Sequence, residues 1–587
     1  MDCFSVPPEQ LTPRERAIAV CVALVCALTR FAALARSLWD WDEALFVLGM
    51  RDYDVTLHHP HPPGFPVYIA LGHVMRLVVP DDFRALQALN LIAGMLVFPA
   101  VFLLARELRL SFRTSVIAAT LFAFFPNVWF FGGGAFSDIP SIVLVLFAIT
   151  LLFRGARSRN AYWAGTLLLA LAIGIRPQNL LLGLFAGITA TRKRKPWEIA
   201  VALLIGIVVV GGAFGGAILA SKSPADYFRV VREHSDYISR IDSWRSAARP
   251  PMWRLFDRFF IKQYQSPPLS IVMTLFVITS VVGSIRERNR AMLYNVLTFA
   301  PFALVAWAML DRFSISRFSI GYQAMFALLA ADGIRRVGKR YEFAVAAVIV
   351  IAFCVYTLPA LTPVRNDIAP SVLAARAVPR HVDPNRDQLF VGHTMSKFLD
   401  LFAPGFPYTR VMDDRAMPLA ARPRAWLLAE VTDTPANGFL FERDRGHLWN
   451  IARRHYFRIK LEPLARRPQF VSGWYGPESM DIDEWRWMNG RSVTVLPPAR
   501  GETMLRMHVG VPGETMPKNP RITVKLNGRV VDQFHTRDGY VERDYRVRPA
   551  PRNLPNVLEL SIDRTVRPRD DTRELGLRLR YLGWGPT

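Results

Sequence analysis

Long apolar stretches fill the first 361 residues, and this feature most restricts how the 587-residue chain can fold. A helix needs about 20 apolar residues to cross the hydrocarbon core of a bilayer. Ordinary globular sequence follows the last stretch. We predict eleven transmembrane helices, near residues 18–36, 84–105, 114–131, 139–153, 161–175, 178–191, 197–220, 268–285, 291–310, 319–334 and 342–361. The predicted fold class is therefore a polytopic α-helical membrane protein with a globular C-terminal part.

Basic clusters between the apolar stretches indicate the orientation of the chain. The formal net charge is +24, and much of the excess lies in six clusters: Arg14/Arg16, Arg106/Arg109/Arg113, Arg154/Arg157/Arg159, Arg192 to Lys195, Arg286/Arg288/Arg290, and Arg335/Arg336/Lys339/Arg340. All six fall on one side, which the positive-inside rule makes cytoplasmic together with the N-terminus. An odd number of spans places the C-terminal part outside. We therefore predict a bacterial inner-membrane protein whose C-terminal domains are periplasmic or extracellular.

The same placement of charge argues against nucleic acid as a partner. A nucleic-acid-binding domain concentrates its basic residues on one face and usually carries a recognisable motif. Here the basic clusters alternate with apolar stretches, and the C-terminal part contains no such motif. Membrane lipids are the expected partners of these charges, and nucleic acid is not expected.

Two segments of the membrane domain depart from simple crossings. Residues 161–191 are barely long enough for two helices, so we expect Arg176-Pro177-Gln178-Asn179 to lie inside the outer half of the protein. Residues 221–266 form a long external segment that contains both basic and aromatic residues, Trp244 among the latter. The amphipathic pattern predicts that this segment lies along the outer membrane interface.

The globular part divides into two predicted domains, so that the chain has domains at 1–363, 364–469 and 470–587. In the middle domain, strand-like runs alternate with helical ones, which indicates a small α/β layer. Its predicted helices are Met395–Phe402 and Leu448–Tyr456. From about residue 471 alternating apolar residues and turns predict a β-sandwich, with Asn527-Gly528 as a hairpin turn.

Ionisable residues are concentrated just after the first span. Asp40, Asp42 and Glu43 lie among tryptophans, and the run from His58 to Pro66 adds three histidines and a proline-rich turn. One interpretation is a solvated loop with a tight turn. The alternative is functional, because the position directly after a span holds the carboxylates at the outer surface, where charged groups often mark a site.

This loop resembles the first loop of the GT-C glycosyltransferases. The string from Ser37 to Ala44, SLWDWDEA, and the turn His61-Pro62-Pro63, some twenty residues later, are most similar to the protein O-mannosyltransferase and aminoarabinose-transferase-like group, family 39. In that group an Asp-Glu pair opens the loop and a His-Pro-Pro turn leads into a helix at the membrane surface. The resemblance covers roughly residues 15–360.

The resemblance implies a chemical role for four residues. The donor is expected to be a polyprenyl-phosphate-linked sugar, and the acceptor a hydroxyl on a glycan, lipid or protein. Asp42 matches the general base, with Glu43 as its orienter or as a second acid. Arg176 and Arg317 match basic positions that hold the leaving phosphate. The alternatives are a turn-breaking Arg-Pro for Arg176 and a snorkelling boundary arginine for Arg317.

Asp138, the three histidines and the glycine triplet are further candidates, and each also has a simpler structural interpretation. Asp138 occupies a place where the family often carries a second acidic residue, but it is also suited to cap a helix that begins at Pro140. His58, His59 and His61 have the chemistry of metal ligands. Prolines interrupt this run, so a divalent metal is not indicated, and no cofactor is expected. The triplet Gly132-Gly133-Gly134 lacks a following Lys-Ser/Thr and is interpreted as a turn rather than a phosphate loop.

In the predicted β-sandwich, Trp485 and Trp487 lie two residues apart and so share one face of a strand. This segment is similar to carbohydrate-binding-like domains of bacterial membrane glycosyltransferases. The two indoles are therefore candidates either for stacking on sugars or for the domain core.

Two different functions remain as alternatives to a transferase. A flippase or transporter for lipid-linked sugars would also need many spans and internal arginines, although no internal repeat is evident. A non-catalytic glycan-binding membrane protein would work through its β domain.

Overall fold

The computed structural model describes residues 4 and 6–585, apart from 242–250, 309–314, 412–423, 431–437, 444–457, 464–467, 481–482, 500, 512–518, 537–538, 552–553 and 569–570. The chain divides into two compact units. Of the described residues, the first unit comprises those up to Ala369 and the second those from Pro370 onwards. The first division lies near the boundary predicted after residue 363, whereas the boundary predicted at residue 470 falls within the second unit.

Helices build the first unit. They are α1 Pro13–Thr29, α2 Trp41–Arg51, α3 Pro66–Arg76, α4 Asp82–Glu107, α5 Phe112–Phe124, α6 Pro126–Phe131, α7 Asp138–Gly155, α8 Arg159–Ile175, α9 Asn179–Thr191, α10 Pro196–Ala220, α11 Pro224–Ile241, α12 Met252–Phe256, α13 Pro267–Glu287, α14 Arg290–Ala308, α15 Ile315–Phe318, α16 Ile320–Gly338 and α17 Glu342–Asn366. Every predicted span falls on one or two of these helices. The span predicted at 114–131 is broken by Pro126 into α5 and α6, because proline fits only the first turn of a helix.

Seven helical stretches in the described residues are long and apolar enough to cross a membrane: Pro13–Ala33, Asp82–Glu107, Asp138–Gly155, Pro196–Ala220, Pro267–Glu287, Arg290–Ala308 and Ile320–His381. Their burial separates two kinds of span. In α7, 78% of the apolar window is buried, and this helix packs against α4, α8 and α9. In α10 only 6% is buried, so its apolar surface is suited to contact lipid. The chain is a multi-pass membrane protein.

The segments between the first spans are ordered and pack on one another. Helix α2 begins after Asp40, which forms a capping box with Glu43. Helix α11 is amphipathic, as predicted for the segment 221–266, and its buried Tyr227 donates a hydrogen bond of 3.0 Å to the carbonyl oxygen of Pro63. This bond joins α11 to the proline-rich turn of the first loop. Trp244 lies outside the described residues.

The second unit begins with the predicted α/β layer. Five strands form a mixed sheet in the order β2-β1-β3-β5-β4, with β2 and β3 parallel to β1 and with β5 antiparallel to β3 and β4. The strands are β1 Asp387–Gly392, β2 Thr409–Val411, β3 Arg424–Glu430, β4 Phe439–Glu442 and β5 Arg458–Pro463, and the helices are α18 Pro370–His381 and α19 His393–Phe402. Helix α19 corresponds to the helix predicted at Met395–Phe402. The helix predicted at Leu448–Tyr456 lies outside the described residues.

The remaining strands form one sheet rather than the two separate sheets of a simple sandwich. They are β6 Gln469–Met480, β7 Asp483–Leu496, β8 Thr503–Val511, β9 Arg521–Leu526, β10 Arg529–His535, β11 Gly539–Val547, β12 Asn556–Ile562 and β13 Arg578–Gly585, in the order β10-β9-β12-β7-β13-β8-β11 with β6 on β7. The long strand β7 pairs with β13 near its start and with β12 towards its end. Met507, Val524 and Leu560 share one core, so the two halves pack face to face. Asn527-Gly528 forms the predicted hairpin turn, with both residues at positive φ.

Candidate active site

Four of the residues singled out in the sequence lie together in the first unit, although up to 275 positions separate them along the chain. The guanidinium group of Arg317 forms an ion pair with Asp42, and its Nη2 and Nε atoms lie 3.0 and 3.2 Å from Oδ2 of Asp138. Nη2 of Arg176 lies 2.9 Å from the same oxygen. We call these four residues the charge cluster. Its two carboxylates and two guanidinium groups balance in charge.

Each member of the charge cluster lies at or near the end of a helix. Asp42 is in the first turn of α2, where Oδ1 of Asp40 accepts a hydrogen bond of 2.9 Å from its backbone N–H. Asp138 is the first residue of α7, Arg176 follows the last residue of α8, and Arg317 lies in the short helix α15. Helix N-termini favour negative charge, so α2 and α7 stabilise the two carboxylates.

The structure corrects the interpretation of Asp138 as a helix cap. Helix α7 begins at Asp138 rather than at Pro140, and its N-cap is Ser137, whose side chain makes no capping bond. The Asp138 side chain is only 4% exposed and accepts from both arginines.

The arginines of the charge cluster are buried among aromatic rings. Both side chains are 11% exposed. Arg317 lies over the ring of Phe136 at 5.1 Å, and Arg176 lies over that of Phe65 at 5.7 Å. Nε of Arg176 also donates to the hydroxyl of Ser137 at 3.0 Å. Burial alone would lower the pKa of Arg317, but the carboxylates of Asp138, Asp42 and Asp40 outweigh burial and raise this pKa. Arg317 is thus not a boundary arginine that reaches for water.

Glu43 lies beside the charge cluster but takes no part in its ion pairs. Its Oε2 accepts hydrogen bonds from the backbone N–H groups of Trp39 and Asp40, at 2.6 and 3.0 Å, and its Oε1 accepts one from Ala135 at 2.8 Å. Burial raises the pKa of Glu43 to about 8, while these hydrogen bonds act in the opposite direction. Because Ala135 precedes α7, Glu43 fixes the start of α2, with Asp42, relative to the start of α7, with Asp138.

The His61-Pro62-Pro63 turn packs beside the cluster. The ring of His61 lies 4.7 Å from that of Phe65 and 5.9 Å from that of Phe46. Tyr53 donates a hydrogen bond of 2.9 Å to the carbonyl oxygen of Gly64 and so holds the end of the turn.

The other two histidines of the run have different neighbours. Nδ1 of His59 lies 3.7 Å from Asp52, and His58 lies near His234 of α11, with ring centroids 6.4 Å apart. Within the described part of the chain, no three His, Cys, Asp or Glu side chains are arranged to hold a metal ion.

A cleft borders the arginines of the charge cluster. Its polar lining includes Asp138, Ser141, Arg176, Gln178, Asn179 and Arg317, and its apolar lining includes Ile142, Leu182, Phe302, Phe318 and Ile320. The cleft therefore combines two cations with an apolar wall. Arg176-Pro177-Gln178-Asn179 contributes three of the polar residues. Within this segment Asn179 is buried and Pro177 is exposed, so only part of it lies inside the protein.

The two tryptophans of the second unit lie against a shared partner. The indole N–H groups of Trp485 and Trp487 both donate to Oε2 of Glu478, at 3.1 and 3.2 Å. The guanidinium group of Arg578 lies 5.4 Å from each ring. Trp487 is 6% exposed, so its contacts are those of a core residue.

Sequence reasoning missed three groups near the charge cluster. Ser137 holds Arg176, the backbone N–H of Ala135 holds Glu43, and His234 of α11 lies with its ring centroid 5.8 Å from that of His61. The sequence alone could have indicated that His234 lies on the buried face of α11. Tyr227, Val230, Val231 and His234 follow helical spacing and share one face of α11.

No family model and no curated sequence matches this chain. Similar solved structures include ArnT from Cupriavidus metallidurans bound to undecaprenyl phosphate, with 13% identity and a TM-score of 0.45 over 76% of this chain and 97% of that one. They also include the Archaeoglobus fulgidus oligosaccharyltransferase in complex with Zn and sulfate, with 13% identity and a TM-score of 0.41 over 65% of this chain and 61% of that one. The mycobacterial arabinofuranosyltransferase AftD shares 11% identity, with a TM-score of 0.43 over 99% of this chain and 62% of that one. At identities this low, the chemistry of the site has to decide the function.

Proposed function

We propose that this protein is a membrane glycosyltransferase that moves a sugar from a polyprenyl-phosphate donor to an acceptor hydroxyl at the outer face of the membrane. The observation that supports this most is the charge cluster. Two buried arginines lie beside a small cleft that has one apolar wall, and a carboxylate at the start of α2 lies against one of the arginines. The guanidinium groups are suited to a phosphate, the apolar wall to the start of its hydrocarbon chain, and the carboxylate to a hydroxyl nucleophile.

In the proposed reaction, Arg176 and Arg317 hold the donor phosphate and Asp42 is the general base. The acceptor O–H gives its proton to Asp42 while its oxygen forms a bond to C1 of the sugar. The bond from C1 to the phosphate oxygen breaks, and its electron pair stays on the phosphate. The phosphate gains negative charge at this step, and fixed guanidinium groups in a site shielded from water stabilise that charge.

The ion pairs of the charge cluster give donor binding a further consequence. Asp42 and Asp138 occupy the guanidinium groups that a phosphate would use. A bound phosphate competes with Asp42 for Arg317, and an Asp42 that is released from this pair is a better proton acceptor. Asp138 keeps both arginines close together in either state. Glu43 acts as the orienter, because its hydrogen bonds fix α2 relative to α7.

A reconstitution experiment tests the proposal. The purified protein in bilayer nanodiscs is supplied with undecaprenyl-phosphate pentoses and hexoses that carry a radiolabel in the sugar, and with a cell-envelope extract as a source of acceptors. We expect labelled product together with release of undecaprenyl phosphate. Movement of intact donor between leaflets without release of undecaprenyl phosphate would instead identify a flippase.

A further inference from the structure

The proton that Asp42 receives in the proposed reaction has to leave the charge cluster. Arg317 cannot accept a proton at any ordinary pH. Asp138 is held by two guanidinium groups, and Glu43, whose pKa of about 8 keeps it mostly protonated at pH 7, faces three backbone N–H groups. After each transfer Asp42 has to lose its proton before it can act again as a base. A neutral imidazole next to the cluster can take up this proton.

Two imidazole rings lie beside the charge cluster and extend away from it. The ring of Phe65 is 5.7 Å from the Arg176 guanidinium group and 4.7 Å from the ring of His61. The ring of His61 is in turn 5.8 Å from that of His234. Nδ1 of His61 is buried and has no hydrogen-bond partner among the described residues. His234 is half-buried on α11, whose neighbouring positions are exposed.

We propose that His61 and His234 form a proton relay that carries the acceptor proton from Asp42 to the exposed side of α11. This inference rests on the proposed function. The proton passes from the Asp42 carboxyl to a ring nitrogen of His61, from there to His234, and then to water. No electron is transferred and no co-reactant is needed. The separation of the ring centroids leaves room for a bridging water between the two imidazoles.

Both histidines have the protonation state that a relay needs. Burial lowers the pKa of His61 to about 4, an effect that the positive charges of Arg317 and Arg176 and the His234 ring reinforce and that Asp42 opposes. Burial also lowers the pKa of His234, and Asp42 again opposes the effect. Each ring is therefore neutral at pH 7 and able to accept a proton, and the negative charge of Asp42 favours the imidazolium that forms.

His234 provides the test, because a half-buried helix position tolerates substitution. We expect His234→Ala to lower kcat by about ten- to a hundredfold, towards the lower end of general acid–base effects, with the donor KM unchanged. Added imidazole should restore much of the lost kcat, since it can reach the half-open position. His234→Gln, which keeps the polarity of the site without the basicity, should be as slow as His234→Ala. His73→Gln, at an exposed histidine of α3, is the matched control and should not respond to imidazole.

The outcomes separate the relay from the proposed function. A His234→Ala protein at the wild-type rate, or a slow one that imidazole does not restore, would overturn the relay if Asp42→Asn is inactive in the same assay. An Asp42→Asn protein at the wild-type rate would remove the proposed function and the relay together. His61→Gln provides a second measurement. It should lower kcat without weakening the binding of undecaprenyl phosphate, and weakened binding would mean that His61 only shapes the donor site.

Discussion

Asp42→Asn is the substitution that tests the proposed chemistry most directly. The amide keeps the shape of the side chain and removes its basicity. The fold does not depend on the charge of Asp42, because the capping box of α2 uses Asp40 and Glu43. Arg317 also keeps its contacts of 3.0 and 3.2 Å to Asp138. The variant should therefore insert and fold like the wild type.

The magnitudes for Asp42→Asn differ between turnover and donor binding. Loss of a general base lowers the rate by about 10²- to 10⁴-fold, which corresponds to about 3–5 kcal/mol in the activation barrier. Donor affinity should not fall. The charge cluster becomes net positive, and the phosphate no longer competes with Asp42 for Arg317, so the Kd for undecaprenyl phosphate should stay equal or decrease.

Single-turnover transfer and equilibrium binding of undecaprenyl phosphate measure these two quantities separately. Asp40→Asn is the control, since asparagine also caps helices and Asp40 lies outside the family pair. It should retain most of the activity. Wild-type turnover by purified Asp42→Asn would refute Asp42 as the base. Loss of undecaprenyl phosphate binding together with turnover would mean that Asp42 organises the donor site instead.

Three further predictions follow from the same site and its orientation. Arg176→Gln and Arg317→Gln should each weaken undecaprenyl phosphate binding by about 2–4 kcal/mol, because each removes a charge-assisted contact in a shielded site. Unchanged affinity in both variants would mean that these arginines have only a structural role. Burial raises the pKa of Glu43 to about 8 in the folded protein. The contribution of Glu43 to the free energy of unfolding is therefore fully present below about pH 4.5. It decreases by up to about 1.4 kcal/mol per pH unit as the pH rises from there and is lost above about pH 8. The thermal stability of the wild type should therefore fall relative to that of Glu43→Gln over this range, and parallel profiles would contradict the shift. A reporter that is active only outside the cytoplasm should be silent after Lys195 and active after Pro370, and the reverse pattern would place the charge cluster on the wrong side for a lipid-linked donor.

The positions of the membrane helices were predictable because hydropathy is a local property. Each of the eleven predicted spans falls on one or two helices. Seven helical stretches of the described residues are long and apolar enough to cross a bilayer, and the count of eleven spans stays a prediction. The break at Pro126 was not predicted, although proline is a local signal. The hairpin at Asn527-Gly528 was predictable for the same local reason.

The order of the strands in the eight-stranded sheet was not predictable from local sequence. Alternating residues show that a strand has one buried face but not which strands are neighbours. The structure joins all eight strands into one sheet through β7, whose two ends pair with different strands. The two halves of the domain share one core, as in a β-sandwich, while all eight strands belong to one sheet.

The members of the charge cluster were found by their residue types and by the resemblance of the first loop, but their partners were not. Nothing in the sequence indicates that Arg317 contacts both Asp42 and Asp138, because the contact depends on how α2, α7 and α15 pack. For the same reason Asp138 was interpreted as a cap. A capping residue and a buried ion-pair partner have the same signature at the start of a helix.

The turn formed by Gly132-Gly133-Gly134 has a structural role that its sequence does not indicate. A Cβ atom at Gly133 would collide with the carbonyl oxygen of Ala33, and one at Gly134 would collide with Oε1 of Glu43. Only residues without a side chain let this turn approach the end of the first span and the start of α2. That approach brings the N–H of Ala135 within 2.8 Å of Glu43 and places Asp138, three residues later, against the arginines. The turn therefore lets the helices that carry Asp42 and Asp138 pack closely. We expect the distance between these two carboxylates to depend on the absence of side chains at Gly133 and Gly134.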